Sequence, residues 1–299
     1  MILSTTGIKF KLVQSVKDDE FNVDSIPDYT LSIQIGNESF RFCIVDTRAG
    51  KCLWLEDYSF SSILFTEQLL DQLNLIFDDH MVLQAGFWQN IFLSFQNLQY
   101  TLIPEAVFSP EQASDYIQLT TDTVSEPLDV HFYKHTSSGM VNVFAAQRKT
   151  TDWFKAVYLN KPLSLIHHTS AFIEGLKQHN ALAVKPVRGL SVLIDESNLT
   201  IALTNGQQLE YCNSFYYTSV QDFTYYVMLV MQELKLDPET CKLTLYGGIS
   251  HDSAIFSTLY KYIRHVNFGV KPKHLDFGYK FDEVLDHRYF SLYNIHLCR

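Results

Sequence analysis

Apolar and polar residues alternate on both sides of a short polar turn at two places in the chain. The first stretch covers residues 31–44, with its turn at 36–39, and the second covers residues 190–203, with its turn at 195–198. Alternation of this kind around a four-residue turn is typical of a β-hairpin with one buried face. We therefore expect a hairpin at each place.

The two predicted hairpins match each other at one constant offset of 159 residues. Similar residues occupy the matched positions, which in the first copy are Leu31, Ser32, Ile33, Ile35, Phe40, Phe42 and Ile44. A repeat at about half the chain length indicates two domains of common descent. Because Pro186 and Gly189 mark the boundary, the sequence predicts an N-terminal domain at 1–185 and a C-terminal domain at 186–299.

The same order of elements follows each hairpin. A third strand, an amphipathic helix and a further strand are predicted at 52–56, about 62–79 and 90–95, and again at 208–215, about 220–235 and 242–246. Three antiparallel strands, a helix, a strand, a helix and a strand form the repeated unit of a ribonuclease-H-like fold. The predicted fold class is therefore α/β, a duplicated ribonuclease-H-like fold with two lobes, each a mixed five-stranded sheet with flanking helices.

The remaining predicted elements lie outside this common order or complete it. A strand is expected at 8–13, and the C-terminal tail, 282–299, is expected to pack back onto the body. The N-terminal domain carries an extra hairpin and helix as an insertion. The other elements are strands at 130–135, 140–147 and 163–167, a helix capped by Thr150 or Thr151, a helix at 170–179, and a helix capped by Ser250 or Asp252 that runs to Arg264.

Composition and charge indicate a folded protein and argue against nucleic-acid binding. The 299 residues are 46% hydrophobic and 19% charged, which is typical of a folded globular protein. The net charge of −10 argues against nucleic-acid binding, because phosphate contacts need clustered Lys and Arg. Residues 1–130 have a balance of −13 and residues 131–299 a balance of +3. This asymmetry fits either two ordinary solvated surfaces or complementarity between lobes or between subunits of a homodimer.

Cysteine usage and the absence of long apolar stretches indicate a cytoplasmic protein. The five cysteines form no Cys-x-x-Cys pair, which fits reduced thiols and favours neither disulfides nor a zinc site. The first six residues lack the apolar segment of a signal peptide, and no stretch approaches about 20 apolar residues. We therefore expect no membrane insertion.

Four stretches carry a resemblance to a known superfamily: residues 31–35, residues 53–56 (Leu-Trp-Leu-Glu), Tyr246-Gly247-Gly248, and residues 287–294 (His-Arg-Tyr-Phe-Ser-Leu-Tyr-Asn). With the duplicated order of elements, the chain resembles the superfamily of actin, hexokinase and heat-shock chaperones. It is more closely similar to a bacterial family of unknown function with an actin-like ATPase fold. The pilus assembly protein PilM and the divisome protein FtsA are more distant relatives by architecture. The similarity spans about residues 28–299.

The resemblance implies a phosphate-binding role for both hairpin turns. In that superfamily each turn has Asp, an aliphatic residue and Gly, with the Asp holding Mg²⁺ and the glycine turn approaching phosphate. Here the first turn keeps Gly36 but has Gln34 at the Asp position. In the second turn Leu193 takes the Asp position and Asp195 the Gly position. At an effective dielectric constant of about 20, the repulsion between an unscreened carboxylate and a phosphate charge at ~4 Å would cost about 4 kcal/mol.

The Gly-Gly pair that would let adenosine lie against the backbone is intact. The candidate cofactor-binding residues, if a nucleotide binds, are therefore Gly36, Asp195, Gly247 and Gly248. Each also has a structural interpretation, because tight turns use glycine and turn carboxylates are commonly solvated.

No other motif indicates catalysis or a metal site. His131 and His135 share one face of a predicted strand and His167 adjoins His168, but no third ligand has suitable spacing. One positive segment at 260–265, with Lys271, Lys273 and Lys280, is either a solvated helix face or a docking surface for an acidic partner. No catalytic residue is predicted.

Three functions are compatible with these features. The leading hypothesis is a non-catalytic, actin-like scaffold that binds other proteins and needs no cofactor. The alternative is an ATP-binding switch or ATP-dependent enzyme such as a kinase or ATPase, using Gly247-Gly248 for adenosine and Asp195 or Asp46 for Mg²⁺. A third hypothesis is a sensor that holds another small molecule between the lobes.

Overall fold

The computed structural model describes residues 10–61, 63, 65–118, 126–182 and 185–299. The start of the predicted first strand at Ile8 and of the predicted helix at Ser62 lie outside these residues. The strands are β1 (Phe10–Lys17), β2 (Thr30–Ile35), β3 (Ser39–Asp46), β4 (Lys51–Phe60), β5 (Asn90–Phe95), β6 (Tyr100–Pro104), β7 (Leu128–His135), β8 (Met140–Gln147), β9 (Leu163–His167), β10 (Arg188–Asp195), β11 (Asn198–Asn205), β12 (Gln208–Tyr216), β13 (Lys242–Gly247), β14 (His265–Phe268) and β15 (Asp276–Phe277).

The α-helices among the described residues are fewer than the strands. They are α1 (Thr66–Asp79), α2 (Ala113–Gln118), α3 (Arg148–Val157), α4 (His168–Ala181), α5 (Val220–Glu233), α6 (Ala254–Tyr262) and α7 (Phe290–Asn294). Short 3-10 helices lie at Val23–Asp28, Glu105–Val107, Pro110–Gln112, Tyr279–Glu283 and Ile295–Leu297.

The chain forms two compact units. The first unit contains the described residues up to Lys134, together with Met140–His168 and Asp276–Phe281. The second contains His135–Gly139, Thr169–Leu275 and Asp282–Arg299. The chain thus crosses between units more than once, and the domain boundary expected at 185/186 stays a prediction.

The main sheet of the first unit has the strand order β1-β4-β3-β2-β5-β9, and β15 also pairs with β4. The first predicted hairpin is β2–β3, in which Ile33 lies opposite Phe42, and β5 pairs with β2 in parallel. The alternating residues Leu31, Ile33 and Ile35 are buried in one apolar cluster with residues of α1. Burial of this alternating face is what specifies the register of the hairpin.

A small three-stranded sheet, β6-β8-β7, is inserted after β5. Helix α2 packs on it through an apolar cluster of Ala113, Ile117, Val141, Val143 and Ala145. The predicted hairpin at 130–135 and 140–147 is confirmed as β7 and β8, with β7 beginning two residues earlier.

The sheet of the second unit has the strand order β12-β11-β10-β13-β14. The second predicted hairpin is β10–β11, in which Val192 lies opposite Ile201, and β13 pairs with β10 in parallel. One face is buried against α5 and α6 in an apolar cluster that includes Leu190 and Val192. The other face packs through Leu193 against α4 and α7.

Both sheets place the first hairpin strand between its antiparallel partner and a parallel strand. This mixed arrangement with flanking helices confirms the predicted α/β class. The first sheet has seven strands, not five, because β1 extends one edge and β15 adds to β4.

Two predictions about helix caps were wrong. Helix α3 begins at Arg148, with Gln147 at its N-cap and no capping side chain, so Thr150 and Thr151 are buried inside the helix. Helix α6 is capped by Ser253, whose Oγ accepts the backbone N–H of Phe256 at 3.1 Å. The presence of Ser or Thr near a predicted helix start therefore did not locate the cap in either case.

Candidate functional site

The turn of the first hairpin is closed by its own backbone. Gly36 is buried, and its N–H donates to the carbonyl oxygen of Ser39 at 2.9 Å. The carbonyl of Glu38 accepts the N–H of Phe60 at 2.7 Å. The N–H of Gly36, which a phosphate would need, is therefore committed to the hairpin.

Gln34, at the position expected for a metal-holding Asp, is part of the buried structure. Its side chain is 1% exposed, and its Nε2 donates to Oε1 of Gln96 at 2.8 Å. Gln96 follows β5 directly, and its N–H donates to the carbonyl of Ile35 at 2.8 Å. The amide pair thus joins the ends of β2 and β5.

The turn of the second hairpin is tighter than predicted, with Glu196 and Ser197 between the paired residues Asp195 and Asn198. Glu196 has a φ of 57°, a left-handed conformation in which glycine is ordinarily favoured. Tyr217 fastens the turn: its N–H donates to the carbonyl of Ser197 at 2.9 Å and its Oη to the carbonyl of Glu196 at 3.1 Å. Burial, and then the charge of Asp195, raise the pKa of Tyr217.

Leu193, at the second position expected for a metal-holding Asp, is 2% exposed. It belongs to an apolar cluster with Phe172, Leu176, Tyr246 and Phe290. A carboxylate at this position would be buried without a partner, which is strongly unfavourable.

Gly247 ends β13 where that strand runs beside β10. Its φ is +90°, and a Cβ added to it would lie 2.0 Å from the carbonyl oxygen of Ile194. Its N–H donates to the carbonyl of His287 at 2.8 Å, and the Nε2 atom of His287 lies 2.7 Å from the carbonyl of Ile249. Gly247 therefore has a complete structural explanation.

Gly248 differs from its neighbour. It is exposed, and a Cβ would meet only the carbonyl oxygen of Ile194, at 3.9 Å. Its N–H donates to that same oxygen at 2.8 Å. Its backbone conformation and surroundings do not require glycine.

The arrangement within the second unit brings Asp195, Gly247 and Gly248 to one sheet edge. Ile194 is paired with Gly247, so the carboxyl ends of the parallel strands β10 and β13 are adjacent. Ligands of open α/β sheets commonly bind at such an edge. Gly36, the remaining predicted site residue, belongs to the first unit.

A comparison with protein families matches residues 18–266 to the family described as "Protein of unknown function (DUF3822)". The chain belongs to this family. No curated protein gives a significant match.

Comparison with solved structures shows the fold of this DUF3822 member. A Bacteroides thetaiotaomicron protein, described as having an actin-like ATPase fold and unknown function, matches with a TM-score of 0.74 and 19% identity, covering 83% of this chain and 93% of that one. A PilM–PilN type IV pilus biogenesis complex matches with a TM-score of 0.56 and 16% identity, covering 90% of this chain and 98% of the other. The chain has an actin-like ATPase fold, and the resemblance to a family of unknown function is confirmed.

Asp46, the alternative candidate ligand for Mg²⁺, stabilises a turn of the first unit. Its Oδ1 accepts the backbone N–H groups of Arg48 and Ala49, each at 2.9 Å, where β3 turns into β4. This is a common role of Asp in turns.

The histidines singled out from the sequence pack on other rings or bond to a carboxylate. His167 stacks on Tyr100 with ring centres 4.6 Å apart, and burial holds its pKa well below the ordinary value. His131 packs on Phe144. His135 hydrogen-bonds to Glu174 through Nδ1 at 2.5 Å. Among the described residues, no group of three or more His, Cys, Asp or Glu side chains is placed to hold a metal ion.

The residues of the predicted positive segment are divided between the two units. Lys280 belongs to the first unit, where it pairs with Asp19, whereas residues 260–265 belong to the second. Lys271 pairs with Asp286 at 3.3 Å. In the part of the chain that the structure describes, no helix is both long and apolar enough to cross a membrane.

Sequence reasoning missed a set of hydroxyl side chains inside the second unit. Ser191, Thr204 and Thr244 lie in the strands β10, β11 and β13, and all three line a cavity. The signal that could have identified them is the recurrence of Ser or Thr at inward positions of buried strands, where apolar residues are the rule.

Proposed function

We propose that this protein is a non-catalytic member of the actin-like fold that works by binding other proteins in the cytoplasm. One observation carries the proposal: the side chains at both positions expected for a metal-holding Asp are buried and serve the fold. Gln34 is bonded to Gln96, and Leu193 lies in an apolar cluster. Restoring an Asp at either position would place a charge in a buried environment.

The backbone of the candidate turns supports the same proposal. A phosphate site in a glycine turn needs N–H groups that are free to point at the ligand. The N–H groups of Gly36, Gly247 and Gly248 all donate to backbone oxygens of their own unit, at 2.8 to 2.9 Å. A nucleotide would have to compete with these bonds.

The structural neighbour described as a PilM–PilN complex supports a role in protein binding, because that protein was solved together with another protein. The likeness itself extends only to the fold. The partner we propose is a protein, with a second copy of this chain, as a homodimer, among the candidates. No nucleic acid is proposed.

We further propose that the fold arose by duplication, with domains near 1–185 and 186–299. The registers of the two hairpins support this, since Leu31 faces Ile44 and Leu190 faces Leu203, the same pairing at the offset of 159 residues. The equal strand order around each hairpin supports it too.

A second candidate function is nucleotide binding, and Gly248 is the observation that favours it. An exposed glycine that the backbone does not require, beside Asp195 at a sheet edge, is suited to close approach by a ligand. In that case Gly248 would lie against adenosine and Asp195 would approach Mg²⁺.

A thermal-unfolding titration with Mg-ATP separates the two candidates. A nucleotide at 100 times its Kd would stabilise the protein by about 2.7 kcal/mol, which raises Tm by about 4 °C in a protein of this size. We expect no change in Tm at millimolar Mg-ATP. A rise that Gly248→Trp abolishes and Gly86→Trp, an open glycine elsewhere, leaves intact would establish nucleotide binding instead.

A protein partner is tested by crosslinking in the native cell followed by mass spectrometry and reconstitution from purified components. We expect at least one protein to form a stoichiometric complex whose affinity does not depend on ATP. Failure of every reconstituted pair, including the chain with itself, would contradict a scaffold function.

A further inference from the structure

The second unit contains a cavity of about 290 Å³ between α4 and one face of its sheet. Helix α4 contributes Leu176, His179 and Asn180, which share one face of the helix at i, i+3 and i+4. The sheet contributes Gly189 and Ser191 of β10, Lys242, Thr244 and Tyr246 of β13, Thr204 of β11 and Phe268 of β14. Neither Asp195 nor Gly248 is among the described residues that line the cavity.

The sheet changes from apolar to hydroxyl-bearing where the cavity lies. Leu193 and Tyr246 are neighbours in the parallel pair β10–β13 and pack in the apolar cluster. Two residues earlier in each strand, and so on the same face, Ser191 and Thr244 are neighbours and line the cavity. Thr204 of β11 adds a third hydroxyl, which accepts a hydrogen bond from Nδ2 of Asn180 at 3.1 Å.

The charged side chain among the described lining residues is positive. Lys242 lines the cavity, and none of the described lining residues is Asp or Glu. Burial, and then the charge of Lys273, lower the pKa of His179. Hydroxyl donors with an ammonium group suit an anion, whereas Nδ2 of Asn180 already donates to Thr204 and to the carbonyl oxygen of Gly206 at 2.8 Å.

A glycine that the fold does not require keeps the cavity open. At Gly189 a Cβ would lie 3.4 Å from the carbonyl oxygen of Lys242, an ordinary contact. A larger side chain there would extend into the space that Gly189 now lines. Strand β10 would otherwise favour a β-branched residue at this position.

We propose that the second unit binds a small oxyanion, a phosphate or a carboxylate of a small metabolite, in this cavity. Lys242 supplies the charge, and the hydroxyl groups of Ser191 and Thr244 supply hydrogen bonds. The volume is at the lower end of the range for ligand pockets, so the ligand is smaller than a nucleotide. This site is independent of the proposed protein binding.

Isothermal titration calorimetry of the full chain with inorganic phosphate, and separately with succinate, tests the proposal and distinguishes the two sources of oxyanion. We expect one of them to bind with a Kd of about 1 mM or tighter. Lys242→Met should weaken binding by about tenfold or more, because a charge-assisted contact is lost. Lys261→Met, which removes the same charge from exposed α6, should leave the Kd unchanged.

Gly189→Val provides a second, steric test, with Tm confirming that the variant folds. It should abolish binding of the same probe. The proposal is overturned if neither probe binds at about 10 mM, where a millimolar site would be mostly occupied. It is also overturned if Lys261→Met weakens binding as much as Lys242→Met, or if a folded Gly189→Val binds as the native chain does.

Discussion

A Cβ atom at Gly247 would lie 2.0 Å from the carbonyl oxygen of Ile194. The φ of +90° at Gly247 is also a conformation that other residues rarely adopt. We therefore expect Gly247→Ala to lower the free energy of unfolding by about 2–5 kcal/mol, through backbone strain and overpacking together. Urea unfolding monitored by circular dichroism measures the loss, and hydrogen exchange in β13 locates it.

Gly248→Ala is the matched control, because it makes the same change one residue later. The position is exposed and has no close neighbour, so the free energy of unfolding should stay within about 1 kcal/mol of the native value. Equal losses in both variants would contradict the distinction between a structural Gly247 and an unconstrained Gly248.

A second close approach fixes the segment that carries β15 onto the first unit. A Cβ at Gly278 would lie 1.7 Å from Oδ2 of Asp18, a buried carboxylate whose Oδ1 lies 3.3 Å from Nζ of Lys51 and accepts the N–H of Glu20 at 2.9 Å. Gly278→Ala must displace that carboxylate. We expect a loss of about 1–3 kcal/mol in urea unfolding monitored by tryptophan fluorescence.

Gly86→Ala serves as the control for Gly278→Ala, since nothing lies within 4 Å of a Cβ at Gly86 in the same unit. This substitution should be close to neutral. If Gly278→Ala were equally neutral, the contact with Asp18 would not hold this segment in place.

The paired strands could be predicted because their information is local. The hairpins around residues 36 and 196, and the strands β5, β8 and β9, follow from alternation or short apolar runs between polar turns. β15 could not be predicted, because its two residues are strand only through pairing with Lys51 and Cys52 of β4. No local pattern encodes a partner more than 200 residues away.

The sequence identifies the candidate residues but not the contacts that they make. The sequence places Gln34 and Leu193 where Asp is expected, yet it cannot tell that Gln34 is bonded to Gln96. It also cannot tell which of two adjacent glycines is constrained, since the approach of Ile194 to Gly247 depends on the register of β13 against β10. Register is a property of the assembled sheet.

A buried ion cluster in the second unit offers a third prediction. Glu174 accepts hydrogen bonds from Lys177 at 3.0 Å and lies against Nδ1 of the buried His135. Burial raises the pKa of Glu174, but the contacts with His135 and Lys177 outweigh it and lower the pKa overall. Glu174→Ala would leave the ammonium of Lys177, 6% exposed, without this partner. We expect a loss of about 3–5 kcal/mol in urea unfolding.

An exposed Lys–Glu pair provides the comparison for Glu174→Ala. Lys149 and Glu67 form an ion pair in which both side chains are about half exposed. Glu67→Ala should therefore cost at most about 1 kcal/mol. A loss for Glu174→Ala no larger than that for Glu67→Ala would show that burial does not strengthen the inner cluster.

Glu56 makes the stability of the first unit depend on pH. Its carboxylate is buried and accepts hydrogen bonds from Ser15 at 2.9 Å, Trp54 at 3.1 Å and Tyr58 at 2.5 Å, and it lies 3.2 Å from Nε2 of His80. Burial raises its pKa, but the bonds from His80 and Tyr58 outweigh burial and hold the pKa below the ordinary value of 4.5. The folded state thus binds the proton less readily than the unfolded chain.

An acid whose pKa is lower in the folded state than in the unfolded state stabilises the folded state at pH values above the unfolded pKa. This stabilisation is lost as the pH falls through the folded pKa. Glu56→Gln, which keeps the shape and removes the charge, should lower the free energy of unfolding by about 1–3 kcal/mol at pH 7. The difference from the native chain should then shrink as the pH falls below about 4.5. Urea unfolding measures this difference through the fluorescence of Trp54 and the other tryptophans, all of which are in the first unit. Glu38→Gln, in the exposed turn, is the control for a general effect of removing a negative charge. A difference that stays constant from pH 7 to about pH 3 would mean that Glu56 stabilises the unit by packing and not by its charge.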